Sequence, residues 1–276
     1  MFNPIPTLHT LVKHVKTLPG TIRAHAPHKK SLLNAFLILA LAIAAVFTAA
    51  KPAATVFNAS ARKLPIYCVE TDKKQISISF DAAWGADDTV LLLNILAQYD
   101  IRATFFLCGY WVDKYPDKVK AIYNAGHDIG NHGNTHAHGA QLDFEQNRRE
   151  IQGAHDKVKS LLGIDMNLFR PPFGEYNNIV IEAAESLRYF TIQWDIDSLD
   201  WQNHGVEHEV NQVLNHKHLG NGSIILFHND ADFTPEALPQ ILDGLKAKGY
   251  EIVPISELIL KENYMMDHEG RQKPKR

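Results

Sequence analysis

Between residues 75 and 254, short apolar runs alternate with helical patterns, and this alternation constrains the fold more than any other feature. The β-like runs fall near 75–80, 103–108, 127–131, 167–170, 189–195, 223–228 and 250–254. Helical patterns lie between them, near 87–99, 112–125, 142–162, 177–187, 206–217 and 234–248. Val90, Leu91, Leu92, Leu93, Ile95 and Leu96 crowd one segment and predict a heavily buried helix. Ile151, His155, Val158 and Leu162 trace a single face and predict a helix half open to solvent. Strands that alternate with helices through short joints make a parallel sheet flanked by helices, open or closed into a barrel. Apolar residues at 45% and charged residues at 21% belong to a globular chain long enough for one large α/β domain.

Ahead of that region lies Ser31 to Ala50, a run without a single charge. About 20 apolar residues suffice to cross a bilayer core as a helix. Lys29 and Lys30 precede the run and predict a cytoplasmic N-terminus with the remainder outside. The expected organisation is a basic cytoplasmic segment at 1–30, a transmembrane signal anchor at 31–50 and a stalk at 51–70. The main α/β domain at 71–262 and a frayed polar tail at 263–276 complete it. The rival reading of 31–50 is a cleaved signal peptide, which would make the protein secreted. Five Lys and Arg and no Asp or Glu fall in residues 1–50, which leaves residues 51–276 eight charges negative. That balance argues against nucleic acid as a partner of the main domain. Two cysteines, Cys68 and Cys108, are too few for a disulfide scaffold and sit in apolar runs, so buried free thiols are expected.

Polar clusters recur where the predicted strands end. Asp81 follows the first strand and His132-Gly-Asn-Thr-His136 the third. Arg170-Pro-Pro-Phe-Gly-Glu-Tyr-Asn177, Asp195-Ile-Asp-Ser-Leu-Asp-Trp201 and Leu226-Phe-His228 close later ones. In a parallel sheet these ends share one edge, the usual place for an active site. Asp81 is a candidate catalytic base. His132 and His136, four apart, can reach one metal ion from a single turn, and two imidazoles with a carboxylate and an open position make a hydrolytic metal site. Zinc, cobalt or another first-row divalent ion suits such ligands. Arg170, stiffened by two prolines, either braces a loop or pairs with Asp81 and keeps it ionised. His228 is either a hydrogen-bonded core histidine or, with a carboxylate partner, a general acid.

These motifs, with Thr104-Phe-Phe and Gly126-His-Asp-Ile-Gly-Asn-His132 around them, resemble the NodB-homology polysaccharide deacetylases, carbohydrate esterase family four. The N-terminal anchor and the Phe80-Asp-Ala-Ala-Trp-Gly85 form are similar to those of sporulation-type deacetylases of endospore formers. The resemblance implies a distorted (β/α) barrel of about seven parallel strands and a metal-dependent deacetylase. It implies that Asp81 is the base, His132 and His136 metal ligands, Arg170 the holder of the base and the Phe173 N–H an oxyanion donor. By the same resemblance Asp200 orients the acid His228, Trp201 and Leu226 wall the acetyl pocket, and Asp197 supports the motif. One departure stands out: the family's third metal ligand, a second Asp, is Ala82 here. Asp88 is the expected substitute and Asp87 the second choice, although either also suits a helix N-terminus.

The expected activity is removal of N-acetyl groups from the cell's own wall polysaccharide, either peptidoglycan N-acetylglucosamine or N-acetylmuramic acid, or from related chitin-like oligomers. Ala82 motivates a second reading, a catalytically impaired wall-glycan-binding module of the same fold. An amidase for small amides is a third, disfavoured by the export segment. His127, His138, His204, His208, His216 and His218 are expected to be surface or structural histidines.

Overall fold

The computed structural model describes residues 33–34, 36–41 and 61–275. Strands β1 (Cys68–Val69), β2 (Gln75–Ala82), β3 (Thr104–Leu107), β4 (Asp128–Asn131), β5 (Leu168–Phe169) and β6 (Phe190–Thr191) are followed by β7 (Ile196–Asp197) and β8 (Ile224–His228). Seven of them form one parallel sheet in the order β6-β5-β4-β3-β2-β8-β7, and β9 (Glu251–Ile252) pairs with the start of β2. Helices α1 (Thr89–Gln98), α2 (Gly109–Lys114), α3 (Pro116–Asn124), α4 (Phe144–Leu162), α5 (Asn178–Ser186), α6 (Val206–Leu214), α7 (Thr234–Ala247) and α8 (Ile255–Leu258) alternate with the strands. The expected α/β class with seven parallel strands is therefore present, and Ser60–Arg276 is one compact unit.

The sheet must curl. β6 and β7 occupy opposite edges, yet only residues 192–195 join them. Five peptide links from Thr191 to Ile196 reach at most about 18 Å, whereas seven flat strands would put the edges about 29 Å apart. The half-barrel this produces explains why the expected strand at 189–195 is two strands: the chain leaves one edge and joins the other. A bridge from Ile66 to Ile192 ties the gap from below.

Side-chain alternation gives the sheet two packed faces. On the outer one, Phe80 lies in register with Phe105 and Phe227, and its ring stands 4.9 Å and 5.6 Å from theirs. On the inner face of β2, Ser77, Ser79 and Asp81 alternate with Ile76, Ile78 and Phe80, and all six are buried. Asp81 registers with Phe106 on β3 and His228 on β8, so the inner face leads upward to the strand ends. A β-carbon at residue 130, in register with Phe106, would lie 2.5 Å from that ring; only glycine leaves room for it there.

Local chemistry fixes the helix limits. Asp143 and Gln146 form a reciprocal capping box at the start of α4, and Gly163 closes it in the left-handed conformation. The single helix expected at 112–125 is two, because Pro116 cannot continue α2 but suits the first turn of α3. Residues read as stalk and frayed tail carry further strands. β1 pairs in parallel with β11 (Arg271–Pro274), which pairs antiparallel with β10 (Tyr264–Met266). Gln272 is fully buried there, exchanging hydrogen bonds of 2.7 Å with the Leu260 backbone. This small sheet sits at the start of β8, where the Val69 N–H donates to the Gly222 carbonyl, opposite the site.

Residues 1–30 and most of the anchor at 31–50 lie outside the described residues. The described part, 33–34 and 36–41, is helical with exposed side chains. Among the described residues no helix is long and apolar enough to cross a membrane.

Candidate active site

The strand ends of the half-barrel meet around a cavity of about 390 Å³ lined by Asp81, Trp84, His132, His136, Phe173, Gly174, Trp194, Asp197, Trp201, Leu226 and His228. Asp81 comes from the end of β2, His132 follows β4 directly, Arg170 follows β5, and His228 ends β8.

Arg170 stands behind this lining with no exposed surface. Its Nη1 donates to Asp81 Oδ1 at 2.7 Å, and Nη2 donates to Ser79 Oγ at 2.8 Å and the Gln193 carbonyl at 3.3 Å. The Phe106 ring lies 4.1 Å from the guanidinium carbon and desolvates its face. Burial alone would raise the Asp81 carboxyl, but the positive charge of Arg170, aided by His132 and His228, outweighs it and holds the group below the usual carboxylate range.

Opposite, the His228 Nδ1 lies 2.7 Å from Asp200 Oδ1. Asp200 Oδ2 accepts from the His228 N–H at 2.6 Å and from Thr234 Oγ1 at 3.1 Å, which fixes the carboxylate from several directions. A carboxylate can only accept, so Nδ1 carries a proton and Nε2 faces the cavity. Burial by itself would lower His228, but the hydrogen bond and charge of Asp200, with Asp81 and Asp197, push it above the ordinary histidine value.

His132 is buried, and its Nδ1 donates to the Arg170 carbonyl at 2.8 Å. That bond settles the tautomer and leaves Nε2 as the free nitrogen, 3.5 Å from Asp81 Oδ2. The loop to His136 turns through Gly133 at φ +77° and His136 itself at φ 57°. A non-glycine residue in this region costs about 1–2 kcal/mol; Phe173 at 60° shares it, so two strained residues line the cavity. Burial lowers both histidines, His136 to about 4, so both rings are neutral and able to bind a cation at neutral pH. The donor chemistry thus fits a divalent ion, and Cys108 Sγ joins them: the three ligand atoms lie within 4.8 Å of one another.

Asp88, expected to supply the missing ligand, does not join this group. It lies outside the cavity lining and the histidine cluster, at the N-cap of α1, where its side chain makes no capping bond. Burial and the charges of Asp230, Asp87 and Asp232 raise its carboxyl. Asp87 is exposed beside Asp230, which accepts its N–H at 3.1 Å. The loop after Ala82 sends Trp84 to the cavity wall, and Trp111 Nε1 and Asn229 Nδ2 both donate to the Gly85 carbonyl, which holds the segment that leads to Asp87 and Asp88.

The other expected residues meet. Phe173, Trp201 and Leu226 line the cavity, and Asp197 does so while its Oδ1 accepts from the Leu199 N–H at 2.9 Å. Trp84 and Trp194 are additional walls that sequence reasoning passed over; the Trp84 ring sits 5.6 Å from His136 and 5.7 Å from His228. Of the histidines set aside, His127 is a core residue whose Nδ1 accepts from the Ala103 N–H at 3.0 Å. His138 lies outside the cavity lining, with its ring stacked 4.1 Å from Phe173. Cys68 and Cys108 are buried free thiols, as expected.

The Polysaccharide deacetylase family matches residues 69–192. Among curated proteins, the chain is 36% identical over 196 residues to the peptidoglycan-N-acetylglucosamine deacetylase of Bacillus cereus, across 69% of this chain and 91% of that protein. Among solved structures it is similar to BA3943 of Bacillus anthracis, described as a pseudoenzyme of carbohydrate esterase family four. The TM-score is 0.68 at 30% identity, over 71% of this chain and 69% of that one. A BA3943 mutant described as having restored enzymatic activity gives the same TM-score of 0.68 at 31% identity, over 71% of each chain.

Proposed function

The chain belongs to the polysaccharide deacetylases of carbohydrate esterase family four, an enzyme family, and on that premise we propose that it hydrolyses N-acetyl groups of peptidoglycan in a metal-dependent reaction. One observation carries the reading: a base pair, Asp81 with Arg170, and an acid pair, His228 with Asp200, open on one cavity with two neutral histidines between them.

His132 and His136 would hold a divalent ion, zinc by donor chemistry, which when bound would acidify the attacking water and polarise the amide carbonyl. Asp81 takes a proton from that water, with Arg170 keeping its carboxylate ionised and aimed. The Phe173 N–H, presented by a left-handed backbone, donates to the oxygen that becomes negative as the carbonyl is attacked. His228 Nε2 gives a proton to the departing amine, and Asp200 steadies the imidazolium. Trp201 and Leu226 enclose the acetyl methyl, and Asp197 holds the turn that carries Asp200.

This assignment has a pH signature. His228 must be protonated to act, and its value is raised, so acetate release should persist through neutral pH and fall as pH rises through that raised value. His228→Gln should remove this alkaline limb and lower kcat by about 10²–10⁴-fold. An unchanged pH profile in a folded His228→Gln protein would remove the acid from this role.

We read residues 31–50 as an uncleaved anchor that keeps the domain at its own cell's wall, which favours peptidoglycan over chitin as substrate. Recovery of the expressed full chain in the soluble fraction would contradict the anchor. Ala82 supports the second reading, an impaired glycan-binding module. In that case Ala82→Asp should create acetate release where the natural chain, supplied with zinc, has none.

A further inference from the structure

We infer that Cys108 takes the place of the missing carboxylate, so that His132, His136 and the Cys108 thiolate together bind a first-row divalent ion. The inference rests on the metal-dependent reading above and adds a ligand of a different chemical kind.

Strand geometry puts the sulfur there. Thr104, Phe106 and Cys108 share one side by the two-residue period of a strand, the side that Asp81 occupies on β2 through its register with Phe106. The Cys108 N–H donates to the Ala82 carbonyl at 3.1 Å, so the thiol belongs to the residue bonded directly to the position that lacks a carboxylate. Across the other neighbour, the His132 N–H donates to the Leu107 carbonyl at 3.0 Å and the Gly109 N–H to the Gly133 carbonyl at 2.9 Å. Cys108 is thereby clamped against the loop carrying both histidines. The two segments approach closely here: a β-carbon on Gly109 would lie 3.1 Å from Asn134 Cα.

The sulfur has no surface exposure, and its partners are weak: the His132 carbonyl at 3.3 Å and the Tyr110 hydroxyl. The ligand atoms lie within 4.8 Å of one another, whereas a tetrahedral zinc ion would hold sulfur and nitrogen about 3.5 Å apart. Binding would close that difference by rotation of the Cys108 and His136 side chains, His132 being held by its bond to the Arg170 carbonyl. A thiolate also restores the single negative charge that an aspartate would have brought, and two histidines with one cysteine leave a fourth position open.

Cobalt reports the bond directly, because thiolate-to-cobalt charge transfer absorbs in the near ultraviolet and imidazole-to-cobalt binding does not. The full chain titrated with Co²⁺ should bind one equivalent and show this band. Cys108→Ala should lose the band. Removing a partner that merely orients a ligand costs about 10–100-fold in metal affinity, so loss of the ligand itself should cost at least about 100-fold. Cys108→Asp should bind cobalt without the band, and Cys68→Ser should keep it. A band that survives in Cys108→Ala, or a natural chain that binds cobalt without the band or not at all, overturns the assignment. Absorbance and stoichiometry do not depend on turnover. A chain that shows the band yet releases no acetate would therefore contradict the proposed activity while leaving the ligand in place.

Discussion

Asp81→Asn should abolish acetate release in a protein that still folds. Asparagine keeps the shape of the side chain and an oxygen that can accept from Arg170 Nη1, a contact now 2.7 Å long. It cannot take a proton. General-base catalysis contributes about 10²–10⁴-fold, and the loss should appear in kcat with little change in KM. Asp81 is 4% exposed, so few waters are available to replace it as base. Some stability is expected to go as well, because the guanidinium of Arg170 has no other counter-charge within salt-bridge distance among the described residues. The measurement is acetate release alongside far-ultraviolet circular dichroism. A folded Asp81→Asn protein with near-natural kcat would show that the base lies elsewhere.

Arg170→Met should give the largest loss of stability. The guanidinium is fully buried and holds Asp81, Ser79 and the Gln193 carbonyl at once. Methionine leaves the Asp81 carboxylate without a partner charge in a nearly dry site, and breaking one side of a buried pair costs about 3–5 kcal/mol. Whole domains are stable by only about 5–15 kcal/mol, so the urea midpoint should fall steeply. Removing both members should cost less: Asp81→Leu combined with Arg170→Met eliminates the stranded charge, and buried pairs replaced by apolar groups are often neutral in stability. The expected pattern is a fragile single variant and a sturdier, inactive double variant. Additive losses in the two would mean that the pair is not energetically coupled.

The residues that mark the site were legible because of where they stand along the chain. Asp81, His132, Arg170 and His228 each fall where an apolar run stops, and a parallel sheet gathers such ends on one edge whatever the loops do. Asp88 stands at the start of α1, outside the cavity lining and the histidine cluster, because closeness in sequence is not reach. The Gly85 carbonyl in the loop after Ala82 is held by Trp111 and Asn229, contacts from distant segments that no local pattern reveals. Cys108 was visible in principle. Its side follows from counting in twos from Thr104, but an apolar run around a thiol looks like core. The split of 189–195 into two strands depends on how far the sheet curls, a property of the assembled half-barrel. The strands at Tyr264–Met266 and Arg271–Pro274 are short, and the second is polar; it pairs with the edge that β1 offers some two hundred residues earlier, and the first pairs with it in turn.

The most direct test of the whole account is acetate release from N-acetylglucosamine oligomers by the full chain supplied with zinc, compared with Asp81→Asn under the same conditions. Release by the natural chain, and none above background by the variant, is the predicted result. Oligomer binding by both proteins, with acetate released by neither, would contradict it and leave a glycan-binding module in its place.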